Sequence, residues 1–193
     1  MPGSAPSNAR TRGFRIDDLE SHLTELEAFR QAKDNFFRQG PGSPLTPEQM
    51  KNFQGLAYFA ENPALRFELP LEKYVDPARV QMPTSKGTVK EYLKIGQVKF
   101  LIAGETAALQ VYESAAQPGM FFIPFVDATA PAESYGEGRY LEPEEMHAGE
   151  LIVDFNLAYN PYCAYGGGWA CPFPPAENRL KVKIEAGEKK FHA

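Results

Sequence analysis

Two cysteines, Cys163 and Cys171, are separated by seven intervening residues in a stretch that also carries Gly166-Gly167-Gly168 and the single tryptophan, Trp169. A structural zinc site draws its cysteines from pairs about two to four residues apart and needs four ligands. No histidine or second cysteine pair stands nearby, so no metal site is expected. The thiols could instead act as a nucleophile or a redox pair, because the glycine run could expose Cys163, or they could serve as two small apolar side chains or close a loop as a disulfide. Serine chemistry lacks support. No Gly-x-Ser-x-Gly occurs, and the histidines are His22, His147 and His192. Of these, only His147 could serve as a base, and in the charged turn Glu142-Pro143-Glu144-Glu145-Met146-His147 it reads most simply as solvent-facing. The triple glycine is not followed by Lys-Ser/Thr and opens no helix, so phosphate cradling is not indicated.

Carboxylates offer the remaining catalytic or binding chemistry. Asp127 and Asp154 each end an apolar run, where a charge must be paired or solvated in a cleft. Arg139 is the candidate partner. Together with Tyr135, Asn156, Asn160, Cys163, Tyr165 and Asn178, these residues form the expected ligand-binding set, a polar pocket floor roofed by an aromatic loop. The competing reading makes Asp127 and Arg139 an ion pair that pins strand ends, with the asparagines bonding loop backbone.

The elements that would position these groups are mostly strands. Leu19, Leu23, Leu26, Phe29, Phe36 and Phe37 fall near one helical stripe that begins at Asp17 and ends at Gly40-Pro41-Gly42. Thr46-Pro47-Glu48-Gln49 announces a second, short helix, with Thr46 as cap, Pro47 in the first turn, and Met50 and Phe53 facing inward. After Gly55 the period changes to two. Strands are expected at 65–71, with Pro70 marking an edge or bulge, and at 89–95 and 98–102, joined as a hairpin through Gly96-Gln97. Further strands are expected at 109–112, 120–126, 139–141, 151–156 and 180–184. Regular strands without intervening helices predict a mainly β fold, an antiparallel β-barrel or sandwich with the N-terminal helices packed on one face or end. Residues 156–178, with Pro172, Pro174, Pro175 and Tyr159, Tyr162 and Tyr165, read as a long aromatic loop that either roofs a site or plugs a barrel end.

Composition narrows the function classes. The 193 residues suit one domain, divided here into a disordered leader over 1–15 and a single β-rich domain over 16–193. A net charge of −5 without a basic block argues against nucleic-acid binding, and no apolar run approaches membrane-span length. The polar N-terminus carries no targeting signal, which predicts a cytoplasmic protein. No cofactor and no oligomeric state are indicated.

The string Asp154-Phe155-Asn156-Leu157-Ala158-Tyr159-Asn160-Pro161-Tyr162-Cys163-Ala164-Tyr165, followed by Cys171-Pro172-Phe173-Pro174-Pro175 and Glu177-Asn178-Arg179-Leu180, resembles the C-terminal motif of domain of unknown function family 1684 of bacteria and archaea. The resemblance extends upstream through Phe53-Gln54-Gly55-Leu56, Thr84-Ser85-Lys86-Gly87, Phe125-Val126-Asp127-Ala128-Thr129 and Tyr135-Gly136-Glu137-Gly138-Arg139-Tyr140, and ends at Ala186-Gly187-Glu188-Lys189. It implies no activity, substrate or cofactor. The residues themselves favour a module that binds a small polar molecule. The alternatives are an enzyme, a hydrolase or thiol-dependent catalyst using the same pocket, and a protein-interaction module.

Overall fold

A computed structural model of the chain describes residues 24–115, 117–146 and 149–192. The expected leader over 1–15, the helix start at Asp17 and His147 lie outside the described residues. Helix α1 runs Glu25–Gln39, and Thr24 caps it reciprocally with Glu27. Helix α2 runs Pro47–Asn52 with the expected box, in which Thr46 accepts from the Gln49 amide and Gln49 bonds back. Phe37, Leu45, Phe53 and Tyr165 pack together between these helices and the aromatic loop. The α1 stripe is not wholly internal, however: Phe29 is 47% exposed and Phe36 37%.

Eight strands follow: β1 (Arg66–Pro70), β2 (Glu72–Pro83), β3 (Val89–Ile102), β4 (Glu105–Ser114), β5 (Gln117–Phe125), β6 (Arg139–Leu141), β7 (Glu144–Glu145) and β8 (Glu150–Asp154). They build two antiparallel sheets, ordered β1-β8-β7 and β2-β3-β4-β5-β6. Val98 and Phe100 of β3, Leu109 and Val111 of β4, and Ile123 and Phe125 of β5 meet Leu151 and Val153 of β8 in the main core. The arrangement is sandwich-like. No closed barrel forms among the described residues, so of the two expected architectures only the sandwich fits. Pro70 ends β1 at a sheet edge, as its missing amide requires.

Two sequence expectations are corrected. Gly96-Gln97 is no turn: β3 crosses it unbroken, and the register against β4 slips between Lys94 and Gly96. The glycine is needed because a Cβ at Gly96 would stand 2.5 Å from the Glu72 carbonyl oxygen of the neighbouring strand. The slip also lets β3 serve two faces, with Val98 and Phe100 inward and Tyr92 outward. The real β3–β4 turn is Ala103-Gly104, both with positive φ (50° and 81°). Second, residues 180–184 form no strand. Leu180 donates to the Val126 carbonyl (2.7 Å) and Val182 accepts from the Ala128 amide (3.0 Å), while Ile184 is held by side chains, as described below. Strand β2 carries Pro77 and Pro83, and its register is irregular between Lys73 and Ala78; sequence reading missed it for that reason.

Outside the five-stranded sheet lies a second cluster, Met82, Tyr92, Tyr112, Phe122 and Tyr140, covered in part by the segment after Asn156. No helix among the described residues is long and apolar enough to cross a membrane.

Candidate functional site

The expected ligand-binding residues separate into five places. Asp127 and Arg139, 4% and 1% exposed, form an ion pair of 3.0 Å inside the molecule. Asp127 Oδ2 accepts from the amides of Thr129 (3.1 Å) and Ile184 (2.7 Å), and Oδ1 accepts from the Thr129 hydroxyl. Arg139 donates to the carbonyls of Ile184 (2.9 Å), Ala186 and Glu188 (3.1 Å). Its guanidinium stands over the rings of Phe59 and Phe125. Burial pulls the Arg139 pKa down while the Asp127 carboxylate opposes that pull. The pair thus replaces a sheet ladder for the 184–188 segment, and its donors and acceptors point away from solvent.

Asp154 and Asn156 occupy a different corner. The Asp154 carboxylate accepts from the Asn156 amide and side chain, both 2.9 Å, and Asn156 exchanges bonds with the backbone of Asn62 (2.8 and 3.0 Å). Asn160 and Tyr165 meet at buried Glu188: the Asn160 amide (2.9 Å) and the Tyr165 hydroxyl both donate to Glu188 Oε2, and Lys33 pairs with Oε1 at 2.5 Å. Asn178 ties β4 to β5 by accepting from the Gln110 amide (2.7 Å) and donating to the Gln110 and Pro124 carbonyls (3.0 and 2.8 Å). Tyr135 and Cys163 form the fifth group, with Oη and Sγ 3.9 Å apart. The expectation of one polar floor uniting Asp127, Arg139, Asp154 and Asn156 is therefore not met. Buried polar groups demand partners, and these side chains have found theirs in the backbone.

The principal concavity lies on the outer face of the five-stranded sheet. It has two lobes, of 740 and 580 Å³, and Lys90, Tyr140, Glu142, Tyr159 and Pro172 line both. Tyr92, Met120 and Phe122 extend the first lobe. Phe29 and Phe36 of α1, with Tyr162 and Trp169, wall the second. The floor is fixed: the Tyr140 hydroxyl donates to the Pro172 carbonyl (2.5 Å), the Tyr159 hydroxyl donates to Glu142 (2.6 Å), and the two rings meet edge to face at 5.7 Å. Burial pushes both phenols far above the ordinary tyrosine range, so both stay protonated donors. Lys33 stands 4.8 Å over the Tyr159 ring, between it and Glu188. Such a surface offers aromatic rings, a methionine, and the charged side chains Lys33, Lys90, Glu91 and Glu142.

None of the nine expected residues lines this groove, yet their neighbours do. Arg139 faces inward and Tyr140 outward; Asn160 bonds inward and Tyr159 lies in the groove. Sequence reading missed Lys90, Tyr140, Glu142 and Tyr159. The alternation Arg139-Tyr140 on a strand was the available signal, since successive side chains take opposite faces. Among the described residues, no group of three or more His, Cys, Asp or Glu could hold a metal ion.

The chain belongs to the family described as proteins of unknown function, DUF1684, whose model matches residues 51–189. It is similar, at 38% identity, to an uncharacterized protein of Haloarcula marismortui known from a solution NMR structure. That alignment covers 90% of this chain and 96% of the other, with a TM-score of 0.67. Among curated proteins no match is found.

Proposed function

We propose that this protein is a small-molecule-binding module whose site is the aromatic groove between α1, the outer face of the five-stranded sheet and the 159–172 loop. The observation that carries this reading is the preorganised floor. Tyr140 and Tyr159 have their hydroxyls already bonded to Pro172 and Glu142 and their rings set edge to face, so the floor is fixed before a ligand arrives. Ordering entropy is thereby spent in folding rather than in binding. The lobe volumes of 740 and 580 Å³ fall within the range of about 300–1,000 Å³ typical of small-molecule sites. The lining favours a flat, largely apolar molecule with a polar group that reaches Lys90 or Glu142, so the ligand differs from the small polar molecule that the sequence predicts.

Trp169, the only tryptophan, lines one lobe and is its own reporter. Titrating small aromatic carboxylates and amines while following its fluorescence should give saturable quenching for at least one compound. Phe29→Asp, at an exposed wall position, should abolish that saturation without unfolding the protein. Quenching that is linear for every compound, or that Phe29→Asp leaves unchanged, would overturn the reading.

A further inference from the structure

At the second lobe of the groove, which Cys171 helps to line, the two cysteines meet. The Cys163 amide donates to Cys171 Sγ at 3.3 Å, which brings the two residues together. Both are free, Cys171 buried and Cys163 partly exposed. Cys171 is held by the end of β2: its amide donates to Ser85 Oγ (3.1 Å), and its carbonyl accepts from the Ser85 amide (3.0 Å). Cys163 sits on the 3₁₀ turn Tyr162–Ala164, which is fixed through Gln49 donating to the Tyr165 carbonyl (2.8 Å). Between the two anchors run Gly166, Gly167 and Gly168, and a Cβ at Gly167 or Gly168 would meet nothing within 4 Å. That stretch can change its backbone without disturbing a packed neighbour.

We infer that Cys163 and Cys171 form a hydroperoxide-reactive dithiol, in which Cys163 is the attacked sulfur and Cys171 resolves it to a disulfide. The Cys163 thiolate attacks one peroxide oxygen, the O–O bond breaks, and the leaving alkoxide or hydroxide takes a proton to give an alcohol or water. Cys163 is then a sulfenic acid. The Cys171 sulfur attacks it, the S–S bond forms, and the hydroxyl departs with the Cys171 proton as water. Two thiols and one hydroperoxide thus become one disulfide, one alcohol and one water. The sulfurs give up the two electrons that the peroxide gains.

The order of the roles follows from access and from donors. Cys163 is the more exposed of the two residues, and its sulfur faces the Tyr135 hydroxyl at 3.9 Å. Hydrogen bonding from Cys171, with help from Ser85 and Tyr135, draws the Cys163 thiol down to about 6, and the same contact with burial pushes Cys171 up. The remaining charges around the pair are Lys90, beside Cys171, and Glu137, beside Tyr135.

Ionisation alone does not make the rate diagnostic. At pH 7 a thiol near 6 holds about 30-fold more thiolate than an ordinary one, but its weaker nucleophilicity returns roughly tenfold, leaving a net gain of about 2–3-fold. The pH profile and the product decide. With hydrogen peroxide as probe, the oxidation rate of the full chain should rise through a midpoint near 6 and level off by neutral pH. The product should lose two hydrogen masses. Cys171→Ser should stop at a sulfenic acid trapped by dimedone, and Cys163→Ser should leave Cys171 unreacted. A rate that keeps climbing to the ordinary thiol range, a wild-type product without the disulfide, or equal reactivity of the two variants would each overturn the inference.

Discussion

The two faces of the five-stranded sheet use polar side chains in opposite ways. On the inner side, Asp127 and Arg139 are closed off from water and bonded to each other and to the 184–188 segment. On the outer side, Lys90 and Glu142 stay exposed at the rim of an aromatic trough. The difference shows why a charge at the end of an apolar strand is a poor guide to a site by itself. Burial requires partners, and the nearest partners are backbone groups of a segment that lacks a ladder of its own. The outer face holds its tyrosines by their hydroxyls and by ring-on-ring contacts, and keeps its charges at the rim.

The contrast can be broken most severely at Arg139. Arg139→Ala would leave Asp127 charged and buried without its cation, and would strand three carbonyls. Removing one partner of a buried pair costs about 3–5 kcal/mol. Urea denaturation should show that loss, accompanied by early proteolysis near 184–188. Asn178→Ala should come next, at about 1–3 kcal/mol, since it unpairs the Gln110 amide and two carbonyls between β4 and β5. Tyr159→Phe removes one hydroxyl bond to exposed Glu142 and should cost about 0.5–1.5 kcal/mol in the same assay. Ligand affinity should fall more than that loss of stability implies, because the freed ring is no longer oriented. Smallest in stability is Met120→Lys, at a position 48% exposed, which should stay within about 0.5 kcal/mol of the parent. It should nonetheless weaken binding in the first lobe, as isothermal titration would register.

Much of the fold was legible in the chain. The change to period two after Gly55, Pro70 at an edge and the Thr46-x-x-Gln49 box all describe local physics that the structure retains. What could not be read was non-local. Gly96-Gln97 looks like a hairpin turn, and only the Glu72 carbonyl pressing on Gly96 from β2 reveals a bulge in a continuous strand. Leu180 to Ile184 alternates like a strand, but its backbone pairs with 126–128 only as far as Val182, and at Ile184 the side chains of Asp127 and Arg139 take over, which no periodicity encodes. Gly187 shows the same dependence on distant chain: its φ is 74°, and a Cβ there would meet the Ala158 carbonyl oxygen at 2.5 Å.

For the candidate site, the aromatic loop was legible and the facing of its residues was not. The expected set took Arg139 and Asn160, while the groove is lined by Tyr140 and Tyr159, one residue away in each case. Polar character drew attention to the inward member of each pair. A one-residue step on extended chain exchanges faces, so such a reading selects the wrong surface while locating the right segment.

The most direct test of the account is a map of amide shifts on labelled protein titrated with the aromatic compound that binds best. The account predicts that perturbations gather at Lys90, Met120, Tyr140, Glu142 and Tyr159 and at the Trp169 indole, leaving Asp127, Arg139 and 184–188 unmoved. Perturbations centred on Asp127, Arg139 and the 184–188 segment would contradict it, and would return the binding site to the inner face.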